Sequence, residues 1–391
     1  MTRIAVLDDR FHQVYGAQRN ALLLARLLAQ GGHEVSFHTT AEGPLADAAR
    51  AEGLDVAVLE APAELRVFEK AALSGGLAVK LRTAVALARY NRALGRALAA
   101  DGVEVAVPAA VRPALHLLGW RAVGRATRRR RRLVLFAQNN TPFGLPAAAA
   151  GLTADRVGLI GPDCLRTFPS WAQGRIRPKT VPLPSGRDLA RFARPAAPTP
   201  SPTPGPVEVV TVANIEPRKG IDRVIDALAD PALAGRCHLT VVGGPTGPKG
   251  EALLTDLEAR AHRLGVSVTF VGWCDDVVPH LHAAELMVLA SSEEGLPGVL
   301  IEAMAAGLPC VTSAAGNAGD LVTRCEGGAV VPVGDTAALA GALARFVDDA
   351  VLRAATGARA AELVAEHYDL AAFARHAEAA ITFDDTRGDR R

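Results

Sequence analysis

Short apolar runs of the kind that form buried strands alternate with longer helical patterns along the first part of the chain. Five such runs lie at 4–7, 34–37, 55–59, 103–107 and 133–137. Between them, segments such as 17–30 and 80–99 place apolar residues at helical spacing. Because this alternation is typical of βαβ units, we expect an α/β domain built around a parallel sheet.

A proline-rich segment then interrupts the pattern. Residues 195–206 hold six prolines in twelve positions. Proline lacks an amide hydrogen and fixes φ, so this segment favours an extended linker over a helix or a central strand. The alternation resumes beyond it, with apolar runs at 207–213, 238–243, 267–271, 286–290 and 309–312.

The sequence therefore predicts two Rossmann-like α/β domains with parallel sheets facing across a cleft. We assign 1–192 to an N-terminal domain, 193–206 to the linker and 207–365 to a C-terminal domain. Residues 366–391 are expected to form a helix that packs back on the N-terminal domain, followed by a frayed tail. Ligands of such sheets bind outside the carboxyl ends of the strands, which places the expected substrate in the cleft.

Positive charge is concentrated in one region, although the whole chain has a net charge of only +2. Between Arg66 and Arg132 there are 15 Lys or Arg residues and three acidic ones, and the region ends in five consecutive arginines. A solvated helix face with a charged loop is the simplest interpretation. Attraction to an anionic membrane surface or to a phosphorylated acceptor is the alternative. Few aromatic residues accompany the arginines, which argues against nucleic acid.

The cysteines and the first residues bear on the compartment. Five widely spaced cysteines without a Cys-x-x-Cys pair support neither a disulfide framework nor a zinc site, and fit a reducing environment. The opening residues run into a strand pattern without the features of a secretory signal. No apolar stretch approaches the ~20 residues of a membrane span. We expect a cytoplasmic protein that can still visit a membrane surface.

The most informative stretch is SSEEGLPGVLIEAMAAGLP at 291–309, which follows an apolar run and opens a helix. Pro297 suits the first helical turn. Backbone N–H groups near Gly298 and Val299 would then form an anion site. Glu302 lies about 6 Å further along the axis, where its carboxylate can accept hydrogen bonds from the two hydroxyls of a ribose.

Glu294 lies in the loop before this helix and can face a sugar beyond the diphosphate. Taken singly, Glu294 and Glu302 could be ordinary acids at a helix start, where the dipole favours them. Together they form an E-x7-E pattern that resembles the retaining glycosyltransferases of family 4. In that family the first Glu lies near the donor-sugar hydroxyls and the second binds the nucleotide ribose, so the resemblance implies these roles here.

Residues 213–220 resemble the G-R-x-x-x-x-K-G segment of the same family. By that match Lys219 meets the donor diphosphate, while Asn214 stands where the family commonly has arginine. Arg218 is the candidate for the missing charge. Lysine at a helix start is disfavoured by the dipole, which favours a bound anion over a merely solvated position. Trp273 follows a strand where relatives hold the base, and either stacks on that base or packs half-buried.

The N-terminal domain carries the resemblance further. Residues 15–19 are similar to the family's G-G-A-x-R turn, and Gly16 would let the backbone approach the diphosphate unless it serves only a strand-to-helix turn. Residues 184–192 are similar to P-N-G-V-D-x-x-x-F, which closes the first domain. The resemblance therefore covers essentially the whole chain.

One departure affects the acceptor side. Many relatives carry a histidine after the strand that corresponds to 133–137, whereas this chain has Gln138 and Asn139. Either amide can donate a hydrogen bond to an acceptor, but neither can act as a general base. His116 is expected to be a helix residue and not a substitute. His280 and His282 have no third ligand that would make a metal site.

The resemblance implies a metal-independent, retaining transferase of the GT-B fold, with Lys219, Glu294 and Arg218 as catalytic residues. It also implies a UDP-sugar or GDP-sugar donor, no further cofactor, and a small-molecule, glycan or lipid acceptor. Two alternatives keep the fold. One is a relative that binds a sugar nucleotide without transferring its sugar, motivated by Asn214 and Gln138. The other is an enzyme of another reaction type, such as epimerisation or phosphorolysis.

Overall fold

All the apolar runs predicted as strands form parallel strands, and they belong to two separate sheets. The computed structural model describes residues 1–9, 14, 16–62, 65, 77–127, 131–194 and 205–383. Within this part of the chain, every pairing between neighbouring strands is parallel. The predicted α/β class with two Rossmann-like sheets is confirmed.

The first sheet is formed, within the described residues, by β1 Arg3–Leu7, β2 Glu34–Thr39, β3 Asp55–Val58, β4 Val105–Pro108, β5 Arg132–Ala137, β6 Arg156–Leu159 and β7 Thr180–Pro182. Their order across the sheet is β3-β2-β1-β4-β5-β6-β7. The sequence did not predict β6 and β7, because Gly158 interrupts the apolar residues of β6, and β7 has only three residues, one of them a proline.

The second sheet is formed by β8 Val207–Val212, β9 Cys237–Val242, β10 Ser267–Gly272, β11 Leu286–Leu289, β12 Cys310–Ser313 and β13 Gly328–Val331. Their order is β10-β9-β8-β11-β12-β13, so the direction of winding reverses between β8 and β11. The edge strand β13 was not predicted, because it is a short run that begins at a glycine.

Helices connect the strands and cover the sheets. Those of the first part are α1 Gly16–Gln30, α2 Pro44–Ala51, α3 Leu77–Ala100, α4 Val111–His116, α5 Leu118–Ala126, α6 Gly144–Thr153 and α7 Ser170–Ile176. Those of the second part are α8 Ile221–Leu228, α9 Gly247–Leu264, α10 Val278–Ala283, α11 Gly298–Ala305, α12 Ala318–Arg324, α13 Thr336–Asp348, α14 Ala350–Tyr368 and α15 Leu370–Ile381. Short 3₁₀ turns lie at Pro162–Thr167, Arg177–Lys179 and Pro217–Lys219. None of the helices in the described residues has the length and apolar character needed to cross a membrane.

The chain divides into two compact units, one made of Met1–Ser185 with Phe373–Arg391 and the other of Gly186–Ala372. The sequence placed the first boundary after residue 192. The structure places it earlier because Leu189 and Phe192 are buried in the core of the second unit. Arg194 also donates to the carbonyl of Leu281 in that unit, at 2.8 Å. Residues 195–204 of the predicted linker lie outside the described residues.

From Phe373 onward, α15 belongs to the first unit. The Phe373 side chain is fully buried, and its ring centroid lies 6.4 Å from that of Phe136 on β5. Further along the helix, Glu378 Oε2 lies 2.9 Å from Nε2 of His33. The first unit is therefore built from two separate stretches of sequence. The frayed tail was predicted for 383–391; its first residue, Phe383, packs against the guanidinium of Arg156, and 384–391 lie outside the described residues.

The second sheet is covered by apolar side chains on both faces. On one face Met287 of β11 shares a buried cluster with Leu300 of α11. On the other face Val288 shares a cluster with Val224 of α8 and Leu343 of α13. A strand buried on both sides must be apolar throughout, which explains why these strands are continuous apolar runs. Of the few polar residues on these strands, Thr211, Thr312 and Ser313 are buried.

Candidate functional site

Two loops of the second unit leave the sheet at the point where its strand order reverses. Strands β8 and β11 are neighbours. The loop after β8 carries Asn214 and Lys219, and the loop after β11 carries Glu294. Ligands of open parallel sheets bind at the carboxyl ends of the strands beside such a reversal. The topology thus brings together predicted site residues that are far apart in sequence.

Lys219 and Glu294 form an ion pair at this place. Nζ of Lys219 lies 2.7 Å from Oε1 of Glu294, with 15% and 8% of the two side chains exposed. Ser291 Oγ donates to the same carboxylate oxygen at 2.7 Å. Charges shielded from water attract each other more strongly than charges at an open surface. The pair therefore fixes the positions of both side chains.

The two loops are also joined through their backbones. Gly220 follows Lys219 with φ of 65°, and a Cβ at this position would lie 2.2 Å from the carbonyl oxygen of Ala290. Glycine is required here by both the left-handed conformation and the close approach. Ser292 N–H donates to the carbonyl of Arg218 at 2.8 Å. The position of Lys219 relative to the Glu294 loop is therefore set by main-chain contacts.

Helix α11 begins at Gly298, after the Glu294 loop, with Pro297 as its N-cap residue. Gly298 and Val299 are half-buried at the first turn, and Glu302 lies one turn further along. Oε1 of Glu302 is 3.5 Å from Nε of Arg187, with 21% and 24% of the two side chains exposed. This places a carboxylate and a guanidinium at the start of the helix.

The remaining predicted donor residues follow β8 and β10. Asn214 is half-buried in the loop after β8. Trp273 follows β10 and is 66% exposed. A Cβ on Gly244 would lie 2.3 Å from its indole nitrogen, so the ring lies against the Gly244 backbone. Arg218 pairs with Glu216, Nε to Oε2 at 2.8 Å, and 43% of its side chain is exposed.

In the first unit, Gln138 is a buried residue that joins three segments. Its side-chain amide donates to the carbonyls of Ala17 at 3.1 Å and Ala109 at 3.0 Å. Its carbonyl oxygen accepts from the Asn20 amide at 3.0 Å. These two donated bonds use both hydrogens of the Gln138 amide. Gln138 thereby joins the start of α1 to the residue after β4. The first residue of α1 is Gly16, which is exposed. Its role towards an acceptor stays a prediction.

Asn139 differs from its neighbour because it is exposed. Its backbone carbonyl accepts a hydrogen bond from the hydroxyl of Thr167. Of the two predicted acceptor-side residues, Asn139 is therefore the one whose side chain faces solvent.

His116 ends α4, as expected for a helix residue, and it is buried in the first unit. Its Nδ1 lies 3.3 Å from Oδ1 of Asn91, and its ring packs edge-on against Tyr90 with 4.9 Å between centroids. Burial lowers the pKa of His116 to about 4, even though Asp9 nearby favours the charged form. The folded protein therefore holds this imidazole neutral.

We expect the first unit to lose stability on acidification below neutral pH. The folded-state pKa of His116 is about 4 and the unfolded value about 6.5, so between these values the unfolded chain binds more protons. His116 alone then lowers the free energy of unfolding by about 2 kcal/mol from pH 7.5 to pH 5. Urea titrations at the two pH values measure this change. A His116→Phe variant should lose less on acidification than the wild type; an equal loss would contradict the assignment.

The positive region is described only in part, since 66–76, 128–130 and the side chains of 77–81 and Arg125 lie outside the described residues. On α3, the exposed arginines are Arg82, Arg89, Arg92 and Arg96. Arg121, in contrast, is buried and pairs with Asp155. Arg131 is also buried, with its guanidinium 5.6 Å from the Trp120 ring centroid. The predicted basic region therefore mixes an exposed helix face with arginines that stabilise the interior.

Two residues at the donor side were not assigned roles from the sequence. Ser291 binds Glu294, and Arg187 pairs with Glu302 across the chain. Both residues contact a glutamate of the E-x7-E pattern. Neither the spacing nor the periodicity of the sequence indicates the Ser291–Glu294 or the Arg187–Glu302 contact. Within the described ranges, no group of three His, Cys, Asp or Glu is gathered as a metal site would require.

Comparison with known proteins finds a match for much of the second unit. Residues 206–349 match the model of the family described as glycosyl transferases group 1. The chain is 37% identical over 183 residues to the glycogen synthase of Mycobacterium tuberculosis, covering 45% of this chain and 42% of that protein. It is 35% identical over 209 residues to the D-inositol 3-phosphate glycosyltransferase of Streptomyces griseus, covering 51% and 42%. The chain thus spans less than half the length of these curated relatives.

The structural comparison extends over both units. The chain is similar to Anabaena HepE, solved in complex with UDP, with a TM-score of 0.72 and 17% identity, covering 96% of this chain and 98% of that one. At this identity the likeness concerns the fold. Residues 206–349 thus match the glycosyl transferases group 1 family, and the two Rossmann-like sheets of the chain have the GT-B fold.

Proposed function

We propose that this protein transfers a sugar from a nucleoside diphosphate donor to an acceptor, with retention of the anomeric configuration and without a metal ion. The observation that carries the proposal is the Lys219–Glu294 pair, 2.7 Å apart, on the two loops that flank the strand reversal. Next to it, α11 offers its first turn and Glu302. These groups match the three parts of a sugar nucleotide. Lys219 and the first turn of α11 suit the diphosphate, Glu302 suits the ribose, and Glu294 suits the sugar that is transferred.

UDP or GDP is the expected nucleotide. The HepE structures hold UDP in one case and UDP-glucose in another, which favours testing uridine nucleotides first. Trp273 supports a place for the base, since its exposed indole lies against Gly244 and offers a stacking surface. Glu302 supports the ribose, because a carboxylate can accept hydrogen bonds from two neighbouring hydroxyls.

The proposed chemistry relies on stabilising the leaving group. As the bond between the sugar and the diphosphate breaks, negative charge grows on the diphosphate. Lys219, the first turn of α11 and Arg218 would stabilise this charge. The acceptor hydroxyl attacks from the face that the diphosphate leaves, and its proton passes to a diphosphate oxygen. This route needs no enzyme nucleophile and no general base at Gln138 or Asn139.

The acceptor remains a small molecule, a glycan or a lipid in this proposal. The exposed arginines of α3 support a contact between the first unit and an anionic membrane surface or a phosphorylated acceptor. We further propose a cytoplasmic location, in line with five cysteines that form no disulfide bond.

A second candidate is a relative that binds a sugar nucleotide without transferring its sugar. It is favoured by Asn214 at the usual arginine position and by Gln138, whose amide hydrogens are used within the protein. Slow hydrolysis of the donor in the absence of acceptor separates the two, because only a transferase site stabilises bond breaking. An epimerase or phosphorylase would instead give a different product from the same donor.

We expect calorimetric titration with UDP, GDP and ADP to show a clear preference for one nucleotide. Glu302→Gln should weaken that binding about tenfold or more, because a charged acceptor for the ribose hydroxyls is lost. Glu362→Gln, at an exposed α14 position with 70% of its side chain accessible, is the matched control and should bind as the wild type does. If none of the three nucleotides bound the wild type, the donor site would be misassigned.

A further inference from the structure

Arg187 projects from a segment whose backbone is held in place. Its N–H donates to the carbonyl of Tyr368 at 2.9 Å, and it forms a parallel bridge with Asp369. Its Nη1 donates to the carbonyl of Gly186 at 3.0 Å. An arginine anchored in this way loses less conformational entropy when it binds a ligand than a mobile surface arginine does.

The guanidinium lies across the start of α11. Its Nε is 3.5 Å from Oε1 of Glu302, and an ideal Cβ on Gly298 would lie 2.5 Å from its Nη2. Glycine at 298 therefore leaves the room that the guanidinium occupies. The ion pair with Glu302 fixes the Nε edge of the guanidinium. Because the group is planar, this contact also sets the orientation of its two Nη atoms.

Arg187 also contributes to the charge of the site. Each of the two carboxylates, Glu294 and Glu302, is paired with a cation, Lys219 in one case and Arg187 in the other. A net negative site would repel a diphosphate, whereas Arg187 makes these four side chains neutral before a ligand binds. Arg218 is less suited to this task because it is 43% exposed and pairs with Glu216.

We propose that Arg187 is a donor-binding residue that contacts the diphosphate at the start of α11, together with Lys219. This inference rests on the proposed function and deepens it. Arginine suits the position, because its planar fork of five N–H donors matches both carboxylate and phosphate oxygens. In this arrangement Glu302 has a second task, since it positions Arg187 while it binds the ribose.

The test compares Arg187→Met with the wild type by calorimetric titration of UDP, GDP and ADP at low and high salt. We expect the preferred nucleotide to bind the variant about 10-fold to 30-fold more weakly, because a charge-assisted contact is lost. The affinity of the variant should also depend less on salt, because one interacting charge has gone. If Arg187 acted only through its backbone contacts with Tyr368 and Asp369, which the methionine variant keeps, both affinity and salt dependence would stay unchanged.

Two further variants complete the experiment. Arg187→Lys keeps the charge and should recover at least half of the lost affinity on a logarithmic scale, with a salt dependence close to that of the wild type. Arg236→Met removes an exposed arginine that pairs with Asp348, elsewhere in the unit, and should bind normally. Thermal unfolding checks that each variant is folded.

The outcomes separate this proposal from the one on which it rests. If the wild type and Arg187→Met bound the nucleotide equally well, or if the loss left the salt dependence unchanged, the donor site would stand and Arg187 would have no part in it. A lysine variant as weak as the methionine variant would also overturn the role of charge. If the wild type bound no nucleotide, both proposals would fall.

Discussion

A Lys219→Met variant is expected to hydrolyse its sugar nucleotide about 100-fold to 1,000-fold more slowly than the wild type. Under the proposed function, Lys219 supplies a nearly buried positive charge where the diphosphate leaves, and such a charge stabilises the transition state most. The measurement is the release of nucleoside diphosphate from the donor, without acceptor, using the nucleotide that binds best. Binding of that nucleotide should weaken less than turnover, because charge on the leaving group grows during the reaction.

The variant has a side effect that must be separated from catalysis. In this variant Glu294 still accepts the hydrogen bond from Ser291, but it loses its ion pair with Lys219. Only 8% of the Glu294 side chain is exposed. A buried carboxylate without its partner destabilises the fold. The double variant Lys219→Met/Glu294→Gln removes this problem and should regain thermal stability without regaining turnover. If turnover returned with stability, the role of Lys219 would be limited to neutralising Glu294.

The second large effect concerns stability. Phe373→Ala should lower the free energy of unfolding of the first unit by about 3–5 kcal/mol, the usual cost of truncating a buried phenylalanine. Phe373 is 0% exposed and packs beside Phe136. The loss of unfolding free energy is measured by urea titration, with unfolding monitored by hydrogen exchange in peptides from the first unit.

The matched control for this effect is Phe143→Ala, a change of the same kind in the same unit. Phe143 is 42% exposed, so its truncation should cost well under half as much as that of Phe373. Nucleotide binding by the second unit should survive the Phe373 change. Equal losses for the two phenylalanines would show that α15 contributes little to the first unit.

Much of the fold could be predicted from the sequence because buried parallel strands are continuous apolar runs. All the predicted runs became strands, whereas β6 and β13 each contain a glycine and β7 has only three residues, so these three do not stand out as apolar runs. The boundary between the units was harder to predict. Proline composition points to 195–206, but the boundary depends on which core buries Leu189 and Phe192, and composition carries no information on that contact.

The candidate site shows the same division. The spacing of Glu294 and Glu302 and the position of Lys219 after a strand could be read from the sequence. The Lys219–Glu294 contact joins residues 75 positions apart, and it follows from the order of strands in the sheet. The Arg187–Glu302 contact depends on how a loop is fixed to the end of α14, and the inward orientation of Gln138 depends on three segments. Neither is encoded in a local pattern.

The two-stretch construction of the first unit has a consequence for biosynthesis. Phe373 and the rest of α15 are translated only after the whole of the second unit, which itself is one continuous segment. At typical rates of translation this interval is on the order of 10–40 s. During it, the surface around Phe136 that α15 later covers is exposed on the nascent chain. The second unit can therefore fold on the ribosome before the last helix of the first unit has been made. We expect chaperones to bind the incomplete first unit during this interval.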